Sequence, residues 1–79
     1  MAGLVETRQL KAARALAGLT QQALGQALGV DGRQVRFWER RLPRSTRKLQ
    51  ALEAVFQEAG VRFIPNPLGV VLEGDAQRG

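Results

Sequence analysis

The sequence predicts a mainly α fold: four short helices followed by a C-terminal β-hairpin. Three observations carry this. Apolar residues recur at helical spacing as far as residue 60, caps and glycines punctuate that pattern, and beyond Gly60 the period shortens to that of a strand. A chain of 79 residues makes one domain with a small core.

In residues 6–17, ETRQLKAARALA, good helix formers surround apolar groups at Leu10, Ala13, Leu16 and Ala17. Gly18 ends this helix. Thr20 is placed to cap a second helix running to about Leu28, with Ala23, Leu24, Ala27 and Leu28 on its inner face. Gly29 then supplies a residue that accepts positive φ at the turn. Asp31 caps a third helix, about 32–41, in which Val35 and Trp38 face inward while Arg33, Gln34, Arg36 and Phe37 project elsewhere. Pro43 stops it, because the residue before a proline is pushed out of the α region. Ser45 or Thr46 caps a fourth helix ending at Gly60, with Leu49, Leu52, Phe56 and Ala59 as its apolar stripe. Beyond it, 61–64 and 70–73 read as two strands around a turn at 65–69. An isolated hairpin is marginal in water, so these strands need a partner. Residues 74–79 read as a frayed tail. There is no internal repeat and no low-complexity tract.

Composition excludes several classes of function. With no Cys and no His, disulfides, thiolate nucleophiles, imidazole bases and nearly every zinc site are removed. The remaining carboxylates and hydroxyls show no pairing pattern, so the chain is not expected to be an enzyme or to need a cofactor or metal. No apolar run approaches the roughly 18–20 residues that span a bilayer. The start lacks the basic and apolar regions of a secretory signal, and the expected location is the cytoplasm.

The formal charge is +5 and its placement is uneven. Arg33, Arg36, Arg40, Arg41, Arg44, Arg47 and Lys48 crowd one stretch, opposed only by Glu39. Such density is an electrostatic footprint for a polyanion, the competing reading being a solvated charged face. An anionic membrane surface is disfavoured, because Leu42-Pro43 interrupts the stretch and no single amphipathic helix results.

Residues 19–39, LTQQALGQALGVDGRQVRFWE, place two helix patterns on either side of Gly-Val, which is a helix-turn-helix arrangement. A recognition helix enters the major groove of DNA by its first turn and needs small or polar residues there, as Gly32, Arg33, Gln34 and Arg36 are. Arg can bond guanine O6 and N7 in a bidentate manner, and Gln can do the same to adenine N6 and N7. Phe37 either touches a thymine methyl or covers the edge of the core. Gln21 and Gln22 sit where exposed backbone N–H groups and the helix dipole suit a phosphate, unless they are ordinary solvated helix formers. Arg40, Arg41 and Arg44 would grip the flanking backbone, adding affinity and salt dependence with little sequence preference.

The run Leu19-Thr20-Gln21-x-x-Leu24-x-x-x-Leu28-Gly29-Val30-Asp31-x-x-x-Val35-x-x-Trp38-Glu39 resembles the XRE family, the Cro and phage-repressor type of helix-turn-helix. The Thr-Gln opening, the Gly-Val turn and the closing Trp-Glu all match, and the likeness covers residues 8–59. It implies a four-helix Cro/repressor-like helix-turn-helix domain over 1–60, to which the residues themselves add the hairpin at 61–73 and the tail at 74–79. It also implies an ion pair between Arg14 and Glu39, which makes Glu39 structural despite its basic neighbours. Two departures stand out: Gly25 where the family usually has alanine, and Asp31 in place of the commoner Ser or Thr cap. The family's fifth helix is replaced by the hairpin. The third helix also resembles that of homeodomains, but the asparagine and basic N-terminal arm those proteins need are absent.

A single helix-turn-helix covers little DNA, so such proteins usually read two half-sites about one helical turn apart. The hairpin offers an exposed strand edge, and Val61, Phe63, Val70 and Leu72 add apolar surface for a homodimer. The competing arrangement is a hairpin folded back on its own helices in a monomer. The function expected is a sequence-specific regulator of transcription on double-stranded DNA, a repressor at a pseudo-palindromic operator. The alternative is an antitoxin or protein-interaction module, with a toxin as partner and the helix-turn-helix as scaffold.

Overall fold

In the computed structural model the described residues are 4–65 and 68–72, and they form α1 (Thr7–Ala17), α2 (Gln21–Leu28), α3 (Gly32–Trp38), α4 (Thr46–Glu58), β1 (Val61–Pro65) and β2 (Leu68–Leu72). The expected turn residues Asn66 and Pro67, the end of the second strand at Glu73, and the tail at 74–79 lie outside the described residues.

Helices α2, α3 and α4 each start where the sequence offers an acceptor for their orphan N–H groups. The hydroxyl of Thr20 accepts from the Ala23 N–H (2.9 Å), and that of Ser45 accepts from the Lys48 N–H (3.3 Å). Asp31 Oδ1 takes the Arg33 N–H (2.8 Å). Caps of this kind each stabilise by about 1 kcal/mol. At the other end, α1 and α2 close on Gly18 and Gly29, both left-handed. The start of α1 works differently. Gln9, buried with 1% of its surface exposed, turns its Oε1 back to accept from the N–H groups of Val5 (2.8 Å) and Glu6 (3.0 Å).

The core joins every element: Leu10 and Ala13 of α1, Leu24 of α2, Val35 and Trp38 of α3, Leu52 and Phe56 of α4, Val61 and Phe63 of β1, with Leu4 ahead of α1. Each large side chain buried in this way contributes about 1.5–3 kcal/mol. Leu4 is further held by its N–H, which donates to Glu53 Oε2 at 2.7 Å.

Three residues expected inward lie outside. Leu16, one residue before the end of α1 and about 120° round the helix from Leu10, is exposed. Ala27 is exposed because the inner face of α2 is centred on Leu24 and Gly25 instead. A Cβ at Gly25 would stand 2.6 Å from the Val30 carbonyl oxygen, so the bare backbone is what lets the turn into α3 pack so close. Ala59 is the last residue before Gly60 turns left-handed, and it faces solvent. Helix α3 also ends earlier than expected, at Trp38. Beyond it the Arg40 and Arg41 N–H groups both bond the Phe37 carbonyl, a tightened turn that swings Leu42 back against the core.

The strands are antiparallel, with Val61 opposite Leu72, Phe63 opposite Val70 and Pro65 opposite Leu68. They are seated on the helices of the same chain, β2 against α1 and β1 against α4. Phe63 meets Phe56 edge-on, ring centroids 6.1 Å apart. The Gln9 amide donates to the Gly69 carbonyl over a long 3.5 Å. Val61 and Phe63 are therefore spent in this chain's own core, and Val70 and Leu72 are half-buried against it. The period-2 pattern marks an apolar face without saying what covers it; here it is the chain's own helices.

Candidate nucleic-acid interface

Helix α3 is anchored by two side chains and presents the rest. Val35 and Trp38 are buried, whereas Arg33, Gln34, Arg36 and Phe37 are all exposed. At roughly 100° per residue, Arg33, Arg36 and Phe37 share the outer face and Gln34 lies to its side. The start of α3 lies against the start of α2. A Cβ at Gly32 would stand 3.0 Å from Gln22 Cα, so the glycine serves contact between the two helices.

The two helix starts enclose an open depression of about 430 Å³, lined by Gln21, Gln22, Gln26, Val30, Asp31, Gly32, Arg33 and Arg36. It brings together residues expected to grip phosphate and residues expected to read bases. A second depression, of about 350 Å³, joins Phe37 to Arg41, Leu42, Pro43 and Arg44. Gln34 and Arg40 line neither. Arg40, Arg41 and Arg44 are exposed, on the turn and loop after α3 rather than on the helix.

Behind this surface lies a polar junction. The Arg14 guanidinium pairs with Glu39 through Nε and Nη2, and its Nη1 donates to the Leu19 carbonyl at 3.0 Å. The Glu39 side chain is 7% exposed and that of Arg14 20%, so the pair is largely covered. Gln21 Nε2 donates to Glu39 Oε1 at 3.1 Å. The side-chain amide of Gln21 is thus drawn toward the junction, while Gln22 is exposed. The Thr-Gln opening places a donor there, but its partner follows only from the packing of α1, α2 and α3.

At the mouth of the depression Asp31 Oδ2 pairs with Arg33 Nη2 at 3.3 Å. The backbone N–H of Arg33, then its guanidinium hydrogen bond and charge, hold the Asp31 carboxyl below the usual carboxylate range. Sequence reasoning missed Gln9 and Glu53. A glutamine three residues after the α1 cap is a recognisable capping signal; nothing in the sequence marks Glu53 as the acceptor for Leu4.

Two short helices packed start against start and joined by a turn that opens on Gly29, the second bearing an exposed basic face, define the helix-turn-helix class. The family model described as helix-turn-helix matches residues 10–60, about two thirds of the chain. The protein belongs to the XRE family of helix-turn-helix regulators, and its domain is that of a DNA-binding transcription regulator. A search of the curated proteins and one of the solved structures each found no match. Among the described residues, no helix is long and apolar enough to cross a membrane.

Proposed function

We propose that the protein is a cytoplasmic repressor that binds a pseudo-palindromic operator in double-stranded DNA as a homodimer. The observation that carries this reading is the division of α3 into a buried pair, Val35 and Trp38, and an exposed set, Arg33, Gln34, Arg36 and Phe37, beside an arginine-lined depression. Arg33, Gln34 and Arg36 read base edges in the major groove. Phe37 lies over the bases at the far end of α3, next to Arg41 and Arg44. Gln22 and the backbone N–H groups at the start of α2, with Arg40, Arg41 and Arg44, hold phosphates. Gln21 acts there through its backbone, its amide being committed to Glu39.

The dimer draws on the hairpin, through its backbone edge rather than through Val61 and Phe63. Among the described residues, no backbone–backbone bond outside the strand pair reaches β1 or β2. An open edge of that kind is a template for another strand.

Selection of bound duplexes from a random pool tests both parts, since a palindrome would reveal site and symmetry together. Arg33→Ala and Gln34→Ala are each expected to lose roughly 1–3 kcal/mol on the selected site and almost nothing on random DNA. Arg40→Ala is expected to weaken both alike and to lower the salt slope by about one. Equal behaviour of the two groups would overturn the division into readers and grips. A monomeric mass by light scattering, on the full chain with operator present, would overturn the dimer.

A further inference from the structure

Among the described residues, Asp31 is the one acidic residue lining the depression between α2 and α3. A carboxylate there has the wrong sign for a phosphate, and a serine or threonine would cap α3 adequately. Its two oxygens are divided between two tasks. Oδ1 holds the backbone N–H of Arg33, which fixes the carboxylate to the helix, and Oδ2 holds Nη2 of the same arginine. Like any exposed aspartate, Asp31 is ionised at neutral pH, so the acceptor carries a full charge.

The donor count leaves Arg33 free to do more. A guanidinium carries five N–H donors in a rigid fork, and guanine O6 and N7 take two of them. The bond to Asp31 uses one. Arg33 is otherwise 90% exposed, with no other side-chain hydrogen bond among the described residues. A free arginine loses much rotamer freedom when it forms a two-point contact, and one already held at a corner loses less. The same negative charge opposes the general attraction of the depression for phosphate.

We propose that Asp31 is a positioning residue: it holds the Arg33 guanidinium for a guanine edge and lowers affinity for random DNA, so that it sets the specificity ratio of the interface. This rests on Arg33 being a base reader, and the experiment separates the two. The full chain is used with the site selected from random duplexes, and the Arg33 step is defined as the position whose guanine preference Arg33→Ala abolishes. Asp31→Asn and Asp31→Ser both keep a capping oxygen for α3 and remove the charge. Each is expected to reduce guanine preference at that step about fivefold and to raise affinity for random duplex about two- to threefold. In the Arg33→Ala background neither is expected to change base preference further. An unchanged guanine preference in Asp31→Asn and Asp31→Ser overturns the proposal while leaving Arg33 as reader. A loss that persists without Arg33 also overturns it, since Asp31 would then touch a base itself. If Arg33→Ala alters no position of the selected site, the reader assignment fails and the positioning role with it.

Discussion

Replacing Glu39 by alanine tests the polar junction that joins α1, α2 and the end of α3. Glu39 accepts from Arg14 Nε, from Arg14 Nη2 at 3.5 Å and from Gln21 Nε2 at 3.1 Å, with 7% of its side chain exposed. Its loss strands one covered cation and one amide. Breaking one side of a buried pair costs about 3–5 kcal/mol. Arg14 is 20% exposed and keeps its bond to the Leu19 carbonyl, which places the loss near the lower end, at about 3 kcal/mol. A domain of 79 residues has about 4–12 kcal/mol in total, so about a quarter to three quarters of the margin disappears. The midpoint of thermal unfolding is expected to fall by about 12–24 °C. Trp38, buried and adjacent in sequence, reports the transition by fluorescence in urea melts. A double-mutant cycle with Arg14→Met isolates the pair term. A loss below about 1 kcal/mol, the range of exposed ion pairs, would refute the claim that this pair ties α1 to α3.

Three further outcomes follow from the geometry. Gly25→Ala gains about 1 kcal/mol of helix propensity but drives a Cβ to 2.6 Å from the Val30 oxygen; overpacking of about 1–3 kcal/mol wins, and the urea midpoint falls. Truncation after Gly60 removes Val61 and Phe63 from the core, a loss of about 3–6 kcal/mol that leaves circular dichroism of a largely unfolded chain. The Asp31 carboxyl is depressed in the folded state, so its contribution is present above the ordinary carboxylate range, near about pH 4, and is lost as pH falls through the folded value. Urea midpoints across that acid range should slope less for Asp31→Asn than for the parent.

The helical part was legible because its signals are local. Thr20, Asp31 and Ser45 cap the helices the sequence assigned to them, and Val35 and Trp38 bury as their spacing predicts. What escaped depends on which surface meets which. The strand pattern at 61–72 is visible in sequence, but its seat on α1 and α4 is set by tertiary packing around Phe56. Gln21 reads as a surface residue until three helices converge and present Glu39 to it. Gln9 is buried for a similar reason, since its acceptors and donors come from opposite ends of the chain. At the interface, the exposed side chains of α3 follow from period alone, whereas the pairing of Asp31 with Arg33 needs rotamers that period does not specify.

The way α3 is anchored bears on how such a protein diversifies. Only Val35 and Trp38 of its side chains enter the core, so four neighbouring positions can be exchanged with little effect on stability. Gly32 is exempt from that freedom, pressed against the backbone of Gln22. Stability and the proposed DNA address are thus written in separate letters of one seven-residue helix, which on that proposal makes its outer face a natural place to retarget the molecule.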